Sequence, residues 1–146
     1  MRVFALLLLI LVYCTSCCKE KLNKTLNFGS FELTVPQNWN YEELEGDDTF
    51  FGKIKACDDE LFFDYGWGYN FENITDLSED EGTISFEALI IDGASAKIIK
   101  ETHGSKVRYS LFVTKKNVGQ NWIYGFDLKN EDLAREVFLT HKFKNP

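Results

Sequence analysis

From Phe28 onward, apolar side chains recur at every second position over most of the chain. A strand with one face turned inward has that period. Val107, Tyr109, Leu111 and Val113 alternate with Arg108 and Ser110. After a turn over 117–120, Trp122, Tyr124, Phe126 and Leu128 repeat the pattern. Phe31, Leu33 and Val35 do the same until Pro36, which lacks the N–H a ladder needs. Residues 49–57 and 60–65 read as a hairpin around Asp58-Asp59. Residues 84–91 and 94–100 flank Asp92-Gly93, the strongest hairpin signal in the chain. Three stretches depart from period two. Tyr41–Asp48 (YEELEGDD) is acidic enough to predict a helical turn, and 71–82 reads as a polar loop. Asn130 is placed to cap a helix with Glu131 and Asp132 in its first turn, and Leu133, Val137 and Phe138 form its apolar stripe. Leu139–Phe143 reads as a short closing strand. The expected class is α+β: a mainly antiparallel sheet of about seven strands, with the C-terminal helix packed on one face.

A chain of 146 residues suits one domain. Its 15% aromatic content excludes a disordered chain. With 23 acidic against 16 basic residues it has no cationic surplus for phosphates, so nucleic acid is not an expected partner. The first 16 residues (MRVFALLLLILVYCTS) follow another rule. One Arg precedes an apolar run from Val3 to Tyr13, too short to cross a bilayer as a helix, which needs about 20 residues. A basic start, a short apolar core and small residues after it describe an export signal. The expected organisation is a signal peptide over 1–16, a polar tether over 17–27 and a single domain over 28–146.

Ser16 and Cys17 at the end of the apolar run resemble the lipobox of bacterial lipoproteins. In that family the chain is cut before the cysteine and its thiol carries a diacylglycerol. The resemblance makes Cys17 the acylated residue, ahead of Cys18 and Cys14, and implies anchoring to the membrane through lipid. Two acyl chains hold far more firmly than one, at about 0.8 kcal/mol per buried CH₂. The expected location is the bacterial cell envelope, anchored to the outer membrane and facing the periplasm or the exterior. The body carries Val35-Pro36 with Trp39, Gly46-Asp47, Phe62-Phe63-Asp64-Tyr65-Gly66-Trp67 and Ile91-Asp92-Gly93-Ala94. In this order it resembles small lipoproteins of Bacteroidetes-type bacteria. It is also loosely similar to PsbP-like α/β/α sandwich domains, which implies a binding or assembly-accessory module.

The motifs of common catalysis are missing from the sequence. Gly93-Ala94-Ser95-Ala96 lacks the second glycine of a nucleophile elbow, and Phe71 stands where a dinucleotide fingerprint needs its third glycine. His103 and His141 lie far apart, and no metal or cofactor is expected. Cys57 reads as a small apolar strand residue, or as a partner for Cys18. Asp64, between Phe63 and Tyr65 and beside a glycine bend, is the one carboxylate expected to be partly buried. It could cap the bend or act as half of an acid–base pair. Trp39, Tyr41, Tyr65, Trp67, Tyr69, Phe71, Trp122 and Tyr124 could line a cleft, and aromatic faces beside carboxylates suit glycans or peptides. Trp67 and Tyr69, in a bend and not a strand, are the expected contacts. These features favour a non-catalytic binding or accessory module for an envelope protein or glycan; the alternative is an envelope hydrolase using Asp64 and a second carboxylate.

Overall fold

Ten strands and one helix make up the described part of the chain. The computed structural model describes residues 21–45, 49–66 and 81–144. The strands are β1 (Leu22–Asn27), β2 (Phe31–Pro36), β3 (Asn40–Leu44), β4 (Phe50–Lys55) and β5 (Glu60–Tyr65), then β6 (Thr83–Ile91), β7 (Ala94–His103), β8 (Lys106–Lys115) and β9 (Gly119–Phe126). Helix α1 (Glu131–Phe138) and β10 (Lys142–Phe143) end it. A large sheet has the order β3-β4-β5-β9-β8-β7-β6, and a small one the order β1-β2-β10. Every pairing is antiparallel, so the fold is mainly sheet with a short C-terminal helix.

Local chemistry accounts for most of these elements. Asp92 and Gly93 both take positive φ, 50° and 74°, and close a two-residue turn between Ile91 and Ala94. Glycine reaches that region at no steric cost, and Asp tolerates it better than most residues. The Asn130 side chain accepts a hydrogen bond from the Leu133 N–H at 3.1 Å, as an N-cap does. Asp59 adds what the sequence could not show. From the β4–β5 turn it accepts hydrogen bonds from the Lys129 and Asn130 N–H groups, joining that turn to the start of α1.

Three expectations are corrected. Residues 40–44 form β3 and no helical turn there. Pairing with β4 satisfies their backbone, and Glu42 meets Lys55 at 2.6 Å. The tether expected over 17–27 gives way to β1 from Leu22 on, where Leu22 and Leu26 point toward the core and β2 supplies the ladder. Lys24 breaks that apolar pattern in the sequence, but its ammonium donates to the Trp39 carbonyl. The closing strand shrinks to Lys142–Phe143, because Leu139–His141 still turn at the end of α1.

The core lies between the two sheets. Phe31 is completely buried there. It stacks on Phe28 with ring centroids 4.4 Å apart and on His141 at 5.3 Å, and meets Phe63 edge-on at 5.7 Å. Gly52 makes room for this cluster. A Cβ there would lie 2.5 Å from the Phe63 ring, closer than real contacts allow. Leu33, Val35, Ile54, Leu61, Leu111 and Ile123 continue the same core. Helix α1 contributes Ala134, Val137 and Phe138, with Phe138 stacked on Tyr109 of β8 at 5.6 Å. Two ion pairs tie α1 to the sheet edge, Arg135 to Glu87 and Lys100 to Glu131.

Phe31→Ala is expected to lower unfolding stability by about 3–5 kcal/mol, the usual cost of emptying a large aromatic site. Denaturant titration checks it; a loss below about 1 kcal/mol would show that the inter-sheet cluster is not what holds the layers together.

Candidate functional site

The register of the large sheet divides its side chains into two faces. Tyr109, Leu111 and Val113 of β8 point into the core; Arg108, Ser110 and Phe112 point to the other side. On that outer side, one cross-strand row runs Leu44, Phe51, Asp64, Trp122, Phe112, Lys97, Ala88. The row beside it runs Glu42, Lys53, Phe62, Tyr124, Ser110, Ile99, Phe86. Directly opposed side chains in such rows are about 4.5–5.5 Å apart at Cβ, which lets rings on successive strands touch.

Five of them form a continuous run. Phe51 stacks on Phe62 at 6.4 Å, Phe62 on Tyr124 at 5.5 Å, Tyr124 on Trp122 at 4.2 Å, and Trp122 on Phe112 at 5.4 Å. Interplanar angles stay between 9° and 27°. The Arg108 guanidinium sits 5.1 Å from the Trp122 ring centre while its Nε and Nη2 both donate to Glu101 Oε1. Its charge is thus held in place and partly neutralised, with cation–π attraction added. Lys97 lies over Phe86 at 5.3 Å and Lys106 over Phe126 at 5.7 Å. The face therefore combines stacked rings with fixed cations along one side.

Asp64 stands among these rings, directly opposite Phe51 on one side and Trp122 on the other. Its Oδ1 is buried with no hydrogen-bond partner among the described residues. Burial raises its carboxyl above the usual range, and a hydrogen bond with Thr49 partly offsets this. No neighbouring charge among the described residues contributes to that shift. Among the described residues, Asp64 is thus a carboxyl set between aromatic side chains.

The structure splits the aromatic cleft expected from the sequence. Trp39 is a core residue, 3% exposed. Tyr41 packs over Phe28 and donates its hydroxyl hydrogen to the Asn27 carbonyl. Tyr65 faces the core as well and donates to the Val118 carbonyl. Only Trp122 and Tyr124 of the described members lie on the outer face. Trp67, Tyr69 and Phe71 lie outside the described residues, as do Cys14, Cys17 and Cys18. Phe51, Phe62 and Phe112 were missed. The signal was present: Phe50-Phe51 and Phe62-Phe63 are adjacent pairs within strands, and a strand sends neighbours to opposite faces. Cys57 is an exposed turn residue whose sulfur accepts from the Asn38 amide, not an apolar strand position.

The most perturbed titratable group lies elsewhere. His141 is 1% exposed between Phe31 and Phe143. Its Nε2 is hydrogen-bonded to the Asn121 side-chain amide at 3.1 Å. Burial lowers its pKa from 6.5 to about 3. This histidine is a core side chain bridging the two sheets.

No family model matches this chain, and no curated protein matches it. Among solved structures it is similar to the solution structure of cyanobacterial PsbP (CyanoP) from Synechocystis sp. PCC 6803, with a TM-score of 0.55 at 11% identity. The match covers 90% of this chain and 97% of that one. The fold is therefore PsbP-like, and the likeness extends to the fold alone. The α/β/α layering implied by the resemblance is not complete among the described residues, where one helix and a three-stranded sheet lie against the large sheet.

The His141 shift sets a pH dependence. Its neutral form is favoured on folding, so the stabilisation is complete above pH 6.5 and is lost as pH falls toward 3. Within that window the loss approaches about 1.4 kcal/mol per pH unit. Urea midpoints at neutral and mildly acidic pH are expected to fall less steeply for His141→Phe than for wild type. Equal acid slopes would remove His141 as the cause.

Proposed function

We propose that this chain is a lipid-anchored envelope protein, a non-catalytic module that binds a protein partner through the outer face of its large sheet. The stacked run Phe51–Phe62–Tyr124–Trp122–Phe112 carries this reading. A soluble antiparallel sheet commonly keeps polar residues on the face turned from its core. Here that face holds rings, with Phe51, Phe62, Trp122 and Tyr124 half-buried around a buried Phe112, and aromatic residues with arginine are enriched at the centres of protein interfaces. A protein is favoured over a glycan because rings inside the run already stack on one another, which leaves less open ring face for a sugar. Trp67 and Tyr69 join the proposal on chain position, since they directly follow β5, the strand that carries Phe62 and Asp64.

The anchor belongs to the same proposal. Removal of 1–16 would leave Cys17 acylated, with β1 beginning five residues later at Leu22. So short a spacer would hold the domain near the membrane surface and favour partners that reside there. Mass spectrometry of the mature N-terminus is expected to find diacylglyceryl-Cys17; an intact Met1 would overturn the anchor. Site-directed photo-crosslinking in the native envelope tests the face. A defined protein adduct from position 124 is expected, and Trp67→Ala with Tyr69→Ala should weaken it several-fold. Adducts to polysaccharide alone would turn the assignment to a glycan, and adducts unaffected by either change would remove the aromatic face from the interaction.

One observation favours a second reading, an envelope hydrolase. A partly buried carboxyl with a raised pKa is suited to hold a proton for a general acid. In this reading Asp64 is the acid and a second carboxylate completes the pair. Asp64→Asn distinguishes the two: it should abolish any turnover on a hydrolase panel under the second reading and leave the crosslink intact under the first. The charged form of Asp64 is disfavoured on folding, so it costs stability above its usual range. Asp64→Asn is therefore also expected to melt higher than wild type at neutral pH, with the gap closing in acid.

A further inference from the structure

The two edges of the large sheet are built differently. β3 at one edge is five residues long and carries Glu42 and Glu43. Short length and charge are the usual protection of an open edge. β6 at the other edge is nine residues long, TISFEALII, and has no further strand beside it among the described residues. Its one charged residue, Glu87, is already bound by Arg135 through two hydrogen bonds of 2.6 and 3.1 Å. Ile90 on this strand is 69% exposed, more than any other large apolar residue described. A bulge between Thr83 and Ser85 breaks the ladder, so the regular part of β6 is Ser85–Ile91.

We propose that β6 is a self-association edge, where two copies of this chain pair antiparallel through Ser85–Ile91. The pairing is centred on Ala88, the midpoint of the regular run. A two-fold axis there sets Phe86 opposite Ile90 of the second copy, Ala88 opposite Ala88, and Glu87 opposite Leu89. On the outer face the strand reads large–small–large (Phe86, Ala88, Ile90), the same in both directions, as an isologous contact requires. No like charges meet, whereas an axis on Glu87 would set two carboxylates against each other. The exposed Ile90 gains an aromatic neighbour, and the open N–H and C=O groups of both edges gain ladder bonds. A foreign strand would find no charge or unpaired polar side chain on Phe86, Ala88 and Ile90 to select it, and this favours a second copy. The two outer faces would then run on as one surface, since Phe86 and Ala88 end the rows that carry Tyr124 and Trp122.

Sedimentation velocity on the full chain in detergent, over a wide concentration range, tests the proposal. A concentration-dependent dimer is expected. Ile90→Lys should weaken it by about tenfold or more, since each 1.4 kcal/mol is tenfold in Kd. Glu42→Lys on the opposite edge should not. Because Ile90 is exposed in the single chain, its variant should keep the wild-type melting temperature at concentrations where the wild type is monomeric, which separates lost association from lost folding. Ala88→Cys should give, under mild oxidation, a disulfide-linked dimer beyond the wild-type background. A chain that stays monomeric at every concentration overturns the proposal, as does a dimer indifferent to Ile90→Lys that Ala88→Cys does not crosslink.

Discussion

The seam between the two sheets is closed at Phe31. This ring comes from the small sheet, lies against Phe63 of the large one, and has Phe28 and His141 stacked on it. Each contact spans a different part of the chain, so the aromatic cluster gathers β2, β5, the segment before β2 and the turn after α1 at one place. Thr140 strengthens the same junction. Its hydroxyl oxygen accepts the Thr34 N–H at 2.8 Å, which fixes the end of α1 to β2. The His141–Asn121 hydrogen bond adds a polar crossing to β9. A buried polar pair contributes less to stability than apolar packing of equal volume, but it fixes register because misplacement leaves both groups unsatisfied.

With that seam closed, one face of the large sheet is committed to the core, and on the other Phe112 and Ile99 are buried as a second, smaller apolar cluster. What distinguishes this sheet is that both faces carry large rings. The inner ones are packed between layers. The outer ones stack along the sheet, with Arg108 fixed beside them and Asp64 set among them. A carboxyl in such a position is penalised for ionising, and evolution commonly accepts that penalty at sites that bind or react. Among the described residues, the same sheet ends in one short, charged edge and one long, mostly apolar edge.

Much of the fold could be read in the residues themselves. The alternation in β8 and β9 named their strands, Asp92-Gly93 named their neighbour's turn, and Asn130 named the helix start. Residues 41–44 and 22–27 failed for one reason. Their side chains are mostly polar, and only a paired neighbour gives them strand geometry. The site was harder to read. Trp122 and Tyr124 could be suspected as contact residues, but so could Trp39 and Tyr65, which serve the core, and Tyr41, which lies exposed over Phe28. Asp64 was legible as partly buried, though not as opposed to Phe51 and Trp122, because those contacts depend on register across three strands.

Period two in the sequence determined that this chain would form strands and that each would have two unlike faces, since successive side chains on an extended backbone must point opposite ways. The sequence also determined its turns, where φ above zero restricts the choice of residue. Which face became the core was decided only in three dimensions. Phe62 and Phe63 are the same residue type in the same strand, and no local preference separates them. They part because the small sheet covers one side of the large sheet, and that depends on contacts between residues more than a hundred positions apart, such as Phe31 and His141.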